Sequence, residues 1–153
     1  MHHVKPPTLF ADCPRPWVFL AGSIEMGKAG RWQDDVVGAL EDTGFCGTII
    51  NPRRDDWDSS WKQEFTNPQF YQQVTWELAG LKSADTVLVY FDPETKAPIT
   101  LLELGILTAK SDQVIVCCPE GFWRRGNVEV VCSSFGIQMV NTIDHLIDSI
   151  LNS

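Results

Sequence analysis

Apolar residues along the chain fall into short runs separated by polar, glycine-bearing stretches. Trp17-Val-Phe-Leu-Ala21 is continuously apolar and stops at Gly22-Ser23, the pattern of a strand covered on both faces. Thr48-Ile-Ile50, Asp85-Thr-Val-Leu-Val-Tyr-Phe91, Gln113-Val-Ile-Val-Cys-Cys118 and Ile137-Gln-Met-Val140 read the same way. Between these runs the spacing turns helical. Residues 29–42 carry Trp32, Val36, Val37 and Leu40 on one face, and Gly44 supplies the stop. Residues 70–82 place Val74, Leu78 and Leu81 inward, residues 128–132 predict a short helix, and residues 142–151 close the chain with Thr142 as N-cap. Residues 1–16 are proline-rich and are expected to be an irregular lead-in.

Strands alternating with helices predict a single α/β domain over residues 1–153, with a mostly parallel sheet covered on both faces. In such sheets ligands collect at the carboxyl ends of the strands. The loops there are residues 22–29, 51–67, 92–98 and 119–127, and they hold most of the arginine and the loop tryptophan. The second is polar, charged and long for a small domain, which marks a functional or mobile segment.

One acid stands out. Ile99-Thr-Leu-Leu-Glu-Leu-Gly105 sets Glu103 among Ile99, Leu101, Leu102, Leu104, Ile106 and Leu107. Pro98 fits a first helical turn, which places Glu103 about a turn inside a helix. An ionised carboxylate resists burial unless something pairs with it or uses it. The plain alternative is a helix acid tied to a lysine or a backbone donor. Glu77, beside Trp76, is a second carboxylate on a predicted helix, and its plain alternative is an exposed helical acid. Together the two suit glycosyl chemistry, in which one acid stabilises or attacks the sugar carbon and the other handles a proton.

Net charge and cysteine usage narrow the partners. A charge of −8 argues against a basic face for nucleic acid. No segment is apolar for long enough to cross a membrane, and the N-terminus lacks the apolar core of a signal peptide. The cysteines at 13, 46, 117, 118 and 132 form no CxxC pair and read as free thiols of a reducing cytoplasm. Neither histidine nor cysteine spacing suggests a metal, and no cofactor is expected.

Gly22-Ser-Ile-Glu-Met-Gly27-Lys28-Ala29 approaches the phosphate-loop pattern after a strand. Ala29 replaces the hydroxyl a metal would need, and Glu25 puts negative charge where phosphates would lie. Gly22 and Ser23 are better read as a tight turn admitting a ligand to the backbone, with Ser23 offering a hydroxyl; an ordinary strand-to-helix turn is the alternative. Arg53, Arg54, Arg124 and Arg125 read as loop charges, and Asn127 as a candidate polar contact.

Four short elements in order carry a resemblance: Phe19-Leu-Ala-Gly-Ser-Ile24, Trp76-Glu-Leu78 with Ala84-Asp85, Leu102-Glu-Leu-Gly105, and Gly126-Asn-Val128. They resemble the nucleoside 2-deoxyribosyltransferase superfamily, which includes the deoxynucleoside 5′-monophosphate N-glycosidases. Asn51-Pro-Arg-Arg54 and Gly121-Phe-Trp-Arg-Arg-Gly-Asn127 resemble a branch of deoxyribosyltransferase-like proteins. The resemblance implies a flavodoxin-like three-layer fold with five strands in the order 2-1-3-4-5, Glu103 as nucleophile and Glu77 near the leaving base. It further implies Asn127 at the sugar 5′-hydroxyl across a subunit interface, a homo-oligomer, and nucleoside or nucleotide plus free nucleobase as partners. Ala97 stands where transferases carry another aspartate, and Asp92 is the substitute from the same loop. Trp57, with Trp61 and Trp123, is a candidate to stack on the base.

Overall fold

A computed structural model describes residues 1–24 and 29–151. The near-phosphate-loop run includes Glu25, Met26, Gly27 and Lys28, which lie outside the described residues. In chain order the elements are β1 (His2–Val4), β2 (Trp17–Gly22), α1 (Trp32–Asp42), β3 (Thr48–Ile50), α2 (Pro68–Ser83) and β4 (Thr86–Tyr90). They continue with α3 (Pro98–Leu107), a 3₁₀ turn (Thr108–Gln113), β5 (Val114–Cys117), α4 (Arg125–Phe135), β6 (Gln138–Val140) and α5 (Ile143–Leu151).

The sheet runs β1-β3-β2-β4-β5-β6, and each neighbouring pair is parallel. Without β1 this is the flavodoxin-like order expected from the resemblance. The lead-in needs correction: His2–Val4 pairs with Thr48–Ile50 and makes a sixth, edge strand. Its three residues are too few for periodicity to register, and only Val4 is buried. The strand is fixed from outside by long-range bonds. Gly47 O accepts from His2 N at 2.8 Å and Val4 O from Asn51 N at 2.9 Å.

The continuous apolar runs arise because alternate strand residues enter two separate cores. Phe19, Ala21, Val87 and Val89 pack with Trp76 and Leu81 of α2, Leu104 and Leu107 of α3, and Val128 and Cys132 of α4. Val18, Leu20, Leu88 and Ile115 pack with Trp32, Val36 and Leu40 of α1 and Leu146 of α5. Helices therefore cover both faces.

The inward face of α2 differs from the expected stripe. Its buried residues are Gln73, Trp76, Gly80 and Leu81, and Val74 and Leu78 are only partly covered. Gly80 sets this orientation. A Cβ there would lie 2.4 Å from the Phe19 ring, so only glycine lets α2 approach β2 so closely. Asn67 caps the helix by accepting from Phe70 N at 3.0 Å. At the other end Lys110 Nζ donates to Ala84 O at 2.7 Å and Leu81 O at 3.2 Å, closing carbonyls the helix leaves open. The short helix expected at 128–132 extends over Arg125–Phe135 and ends at Gly136, which takes φ 68°. Thr142 Oγ1 accepts from His145 N at 3.2 Å, as a cap should.

Candidate active site

The carboxyl edge of the sheet gathers the ends of β2, β3 and β4 and the helices that follow β3 and β4. Ser23 directly follows β2 and is fully buried. Its Oγ accepts from Asp92 N at 3.0 Å and from Thr95 Oγ1 at 2.8 Å. Asp92, also buried, accepts from Gly30 N at 3.1 Å through Oδ2 and from Glu94 N at 2.9 Å through Oδ1. Ser23 and Asp92 thus tie the loop after β2 to the loop after β4. Gly22 packs in the same seam: a Cβ would lie 2.5 Å from Tyr90 O and 2.7 Å from the Trp32 ring. Packing alone is enough to require glycine there.

The loop after β4 ends in a strained residue. Ala97 precedes α3 in the left-handed region, at φ 46° and ψ 53°, and is buried. A non-glycine residue there costs on the order of 1 kcal/mol. This loop leads directly into the helix that carries Glu103.

Glu103 is the sixth residue of α3 and is only 8% exposed. It stands beyond the first turn, where the helix dipole would help an anion most. Its pKa is pushed up from 4.5 to about 8, first by burial and then by the charge of Glu77. Glu77, on α2, is itself raised by burial, and its hydrogen bond from Gln73 opposes that shift. Two enclosed carboxyls that repel each other's charge hold one proton between them over a range of pH.

Gln73 completes this group, and the apolar periodicity of α2 gave no sign of it. Its Nε2 donates to Glu77 Oε1 at 2.6 Å and to Pro52 O at 3.0 Å. The glutamine thereby joins the Asn51-Pro-Arg-Arg54 stretch to the acid pair. That stretch is firmly held. Asn51 Oδ1 accepts from Arg53 N at 3.0 Å, and Arg53 donates to Gly30 O at 3.1 Å and Gln33 Oε1 at 3.3 Å. Arg54 is not a solvated loop charge: its side chain is 9% exposed, it pairs with Asp56, and it lies 4.9 Å from the Trp61 ring. Trp57 meets Trp61 edge to face at 5.1 Å.

Other candidates sit elsewhere. Asn127 is exposed on the first turn of α4 and lines a shallow groove of about 220 Å³ with Leu101, Leu104, Gly105, Val128 and Val131. Neither Glu103 nor Glu77 lines that groove. Arg125 is structural, donating to Cys118 O and Asn141 Oδ1 and pairing with Glu129. Asp85 is structural as well: its Oδ2 accepts from Trp17 N at 2.7 Å, and its other oxygen pairs with Arg15. A larger depression of about 320 Å³, lined by Asp85, Ser111 and Gln138 among others, opens at the start of the strands, away from the acids. Among the described residues, no group of three or more His, Cys, Asp or Glu side chains is placed to hold a metal ion, and no helix is long and apolar enough to cross a membrane.

A six-stranded parallel sheet in this order, with helices on both faces, is an α/β architecture of the flavodoxin-like kind. Residues 15–122 match the family described as nucleoside 2-deoxyribosyltransferase like, and the chain belongs to that family. The match takes in Ser23, Arg54, Gln73, Glu77, Asp92 and Glu103, and ends before Asn127. No curated protein matches the chain.

Proposed function

We propose that the protein breaks the N-glycosidic bond of a 2′-deoxynucleoside and transfers the deoxyribosyl group to another base. The observation that carries this reading is the electrostatic coupling of two enclosed carboxyls, Glu103 and Glu77, on neighbouring helices. Departure of the base builds positive charge at C1′. Glu103, ionised, faces that charge and closes on C1′ as an ester while the C1′–N bond breaks. Glu77 delivers its proton to the ring nitrogen of the leaving base. An incoming base then attacks C1′ and releases Glu103; if water attacks instead, the same pair makes a deoxynucleoside or deoxynucleoside monophosphate N-glycosidase.

The raised pKa of Glu103 fits this cycle in a particular way. Burial and the charge of Glu77 raise the pKa of Glu103, while the hydrogen bond from Gln73 favours the ionised form of Glu77. The productive arrangement has the proton on Glu77. Developing positive charge at C1′ favours that arrangement, so the counter-charge strengthens towards the transition state.

Ala97 favours a second reading. It is buried where the resemblance places an aspartate, and a protein without that acid can retain the pocket as a non-catalytic nucleoside or nucleotide sensor. Incubating the protein with deoxynucleosides and their 5′-monophosphates, with and without free base, separates the readings. Exchange of bases supports transfer, release of free deoxyribose supports hydrolysis, and binding without either product supports the sensor.

The assembly belongs to the same proposal. Ile99, Leu102 and Ile106 are exposed apolar residues along α3, joined by Trp123 and Val130 from α4 and the loop before it. A second copy of the chain covering this face would bring Asn127 to the partner's sugar site, giving a homo-oligomer whose pocket is completed across the interface. Five free cysteines, three of them buried, suit a reducing cytoplasm.

A further inference from the structure

Gln73 is 6% exposed, and its Oε1 is buried with no hydrogen-bond partner among the described residues. Its orientation is not arbitrary. The atom beside Glu77 Oε1 and Pro52 O must be the NH2 group, because both neighbours accept at 2.6 and 3.0 Å. Rotating the amide would set oxygen against two acceptors. The free acceptor is therefore Oε1, bonded to the same carbon as the anchored Nε2. Leaving such an atom unpaired costs about 1–3 kcal/mol. A ligand N–H that reaches it recovers that cost.

The same bond constrains Glu77. Gln73 occupies Oε1, so when Glu77 carries a proton, the proton sits on Oε2. Residues 73 and 77 lie one turn apart on the same face of α2. The pair thus offers an acid proton and, beside it, a fixed acceptor.

We propose that Gln73 and Glu77 read the base, selecting nucleobases that carry an exocyclic amine next to the ring nitrogen that is protonated. Resting on the glycosidic reading above, the assignment puts Glu77 Oε2 at the ring nitrogen and Gln73 Oε1 at the neighbouring amine. Adenine offers this edge through its 6-amino group and N7, cytosine through its 4-amino group and N3. The 6-oxo and 4-oxo counterparts place a carbonyl oxygen opposite Gln73 Oε1, acceptor against acceptor. A buried acceptor discriminates strongly because the wrong ligand leaves it unpaired.

The test uses calorimetric titration of the Glu103→Gln protein, in which turnover is suppressed, with 2′-deoxyadenosine, 2′-deoxyinosine, purine 2′-deoxyriboside, 2′-deoxycytidine and 2′-deoxyuridine. In one or both ring classes the amino nucleoside is expected to bind at least ~10-fold more tightly than its oxo partner, about 1.4 kcal/mol. The ring class showing the gap identifies adenine or cytosine as the base. Purine 2′-deoxyriboside, which lacks the 6-substituent, tests the amine itself without altering the protein. In Glu103→Gln/Gln73→Met, folded by circular dichroism, the amino-to-oxo gap should shrink below ~3-fold. Equal or tighter binding of the oxo nucleosides, or a gap that persists in Gln73→Met, overturns the inference. Wild-type protein that releases base from oxo substrates as readily as from amino ones also overturns it, yet leaves the glycosidic reading standing. An amino preference in binding with no base release from wild type does the opposite. Absence of binding by every nucleoside overturns both.

Discussion

The carboxyl of Glu103 on α3 is enclosed within reach of the charge of Glu77 on α2, and its pKa stands at about 8. This relationship fixes how activity depends on pH. Catalysis needs one proton on the pair, because two leave no nucleophile and none leaves no acid. kcat/KM should hold a plateau through neutral pH and fall about tenfold per unit once pH passes about 8. A pH–rate profile measured on a nucleoside substrate checks this, and a profile flat to pH 10 would contradict it.

Stability should follow the same group. The folded pKa of Glu103 lies above its ordinary 4.5, so the unfolded chain releases this proton first as pH rises. The stabilisation is fully present below about 4.5 and is lost as pH rises through about 8. Glu103→Gln removes that loss. Its melting temperature should exceed that of the wild type by at least ~3 °C at pH 9, with a smaller gap at pH 5. Thermal melts of both proteins at the two pH values decide the point; a destabilised Glu103→Gln at pH 9 would make the acid a packing group with hidden partners.

Glu77→Gln should separate substrates by leaving group. A natural base needs the proton, so its release should slow by ~10²-fold or more. An activated deoxyriboside whose leaving group departs as a stable anion should slow by less than ~10-fold. Equal losses on both would remove Glu77 from the role of acid.

Much of this architecture is legible in the amino-acid order, for physical reasons that also explain the exceptions. Runs such as Trp17-Val-Phe-Leu-Ala21 are continuous because both faces of a parallel strand are buried, so the four central strands stand out. β1 escapes notice because its three residues are fixed by pairing with β3 and contain one buried side chain. Glu103 is conspicuous as an acid in an apolar run. Gln73 is hidden because a buried glutamine breaks the apolar stripe that marks an inward face, and its purpose is visible only once Glu77 and Pro52 meet its amide. Arg54 is concealed similarly, since the burial of a loop charge depends on how residues 51–67 fold back.

The seam between α2 and β2 offers a test of the frame. Gly80→Ala places a methyl 2.4 Å from Phe19. Overpacking of this kind costs about 1–3 kcal/mol, and the melting temperature should fall by several degrees. Because α2 carries both Gln73 and Glu77, turnover should fall as well. Thermal melts with steady-state kinetics check this; an unchanged melting temperature would mean that α2 does not sit as closely on β2.

The exposed face of α3 should control assembly. Leu102→Glu combined with Ile106→Glu should yield a folded monomer by sedimentation at micromolar concentration, with turnover much reduced. If Asn127 acts across the interface, Asn127→Ala and Glu103→Gln proteins, each weak alone, should partly restore activity when mixed and allowed to exchange subunits. A fully active monomer would rule out a shared site.

The central claim is that Glu103 bonds to the sugar. Wild-type protein mixed with a deoxynucleoside it turns over, quenched in acid within the first turnovers and digested, can be read by peptide mass spectrometry. The account predicts a deoxyribosyl adduct on the peptide containing Glu103, absent from Glu103→Gln, whose turnover should be lower by at least ~10³-fold, about 4 kcal/mol of transition-state stabilisation. An adduct on another residue, or a Glu103→Gln protein that turns over as fast as the wild type, would contradict it.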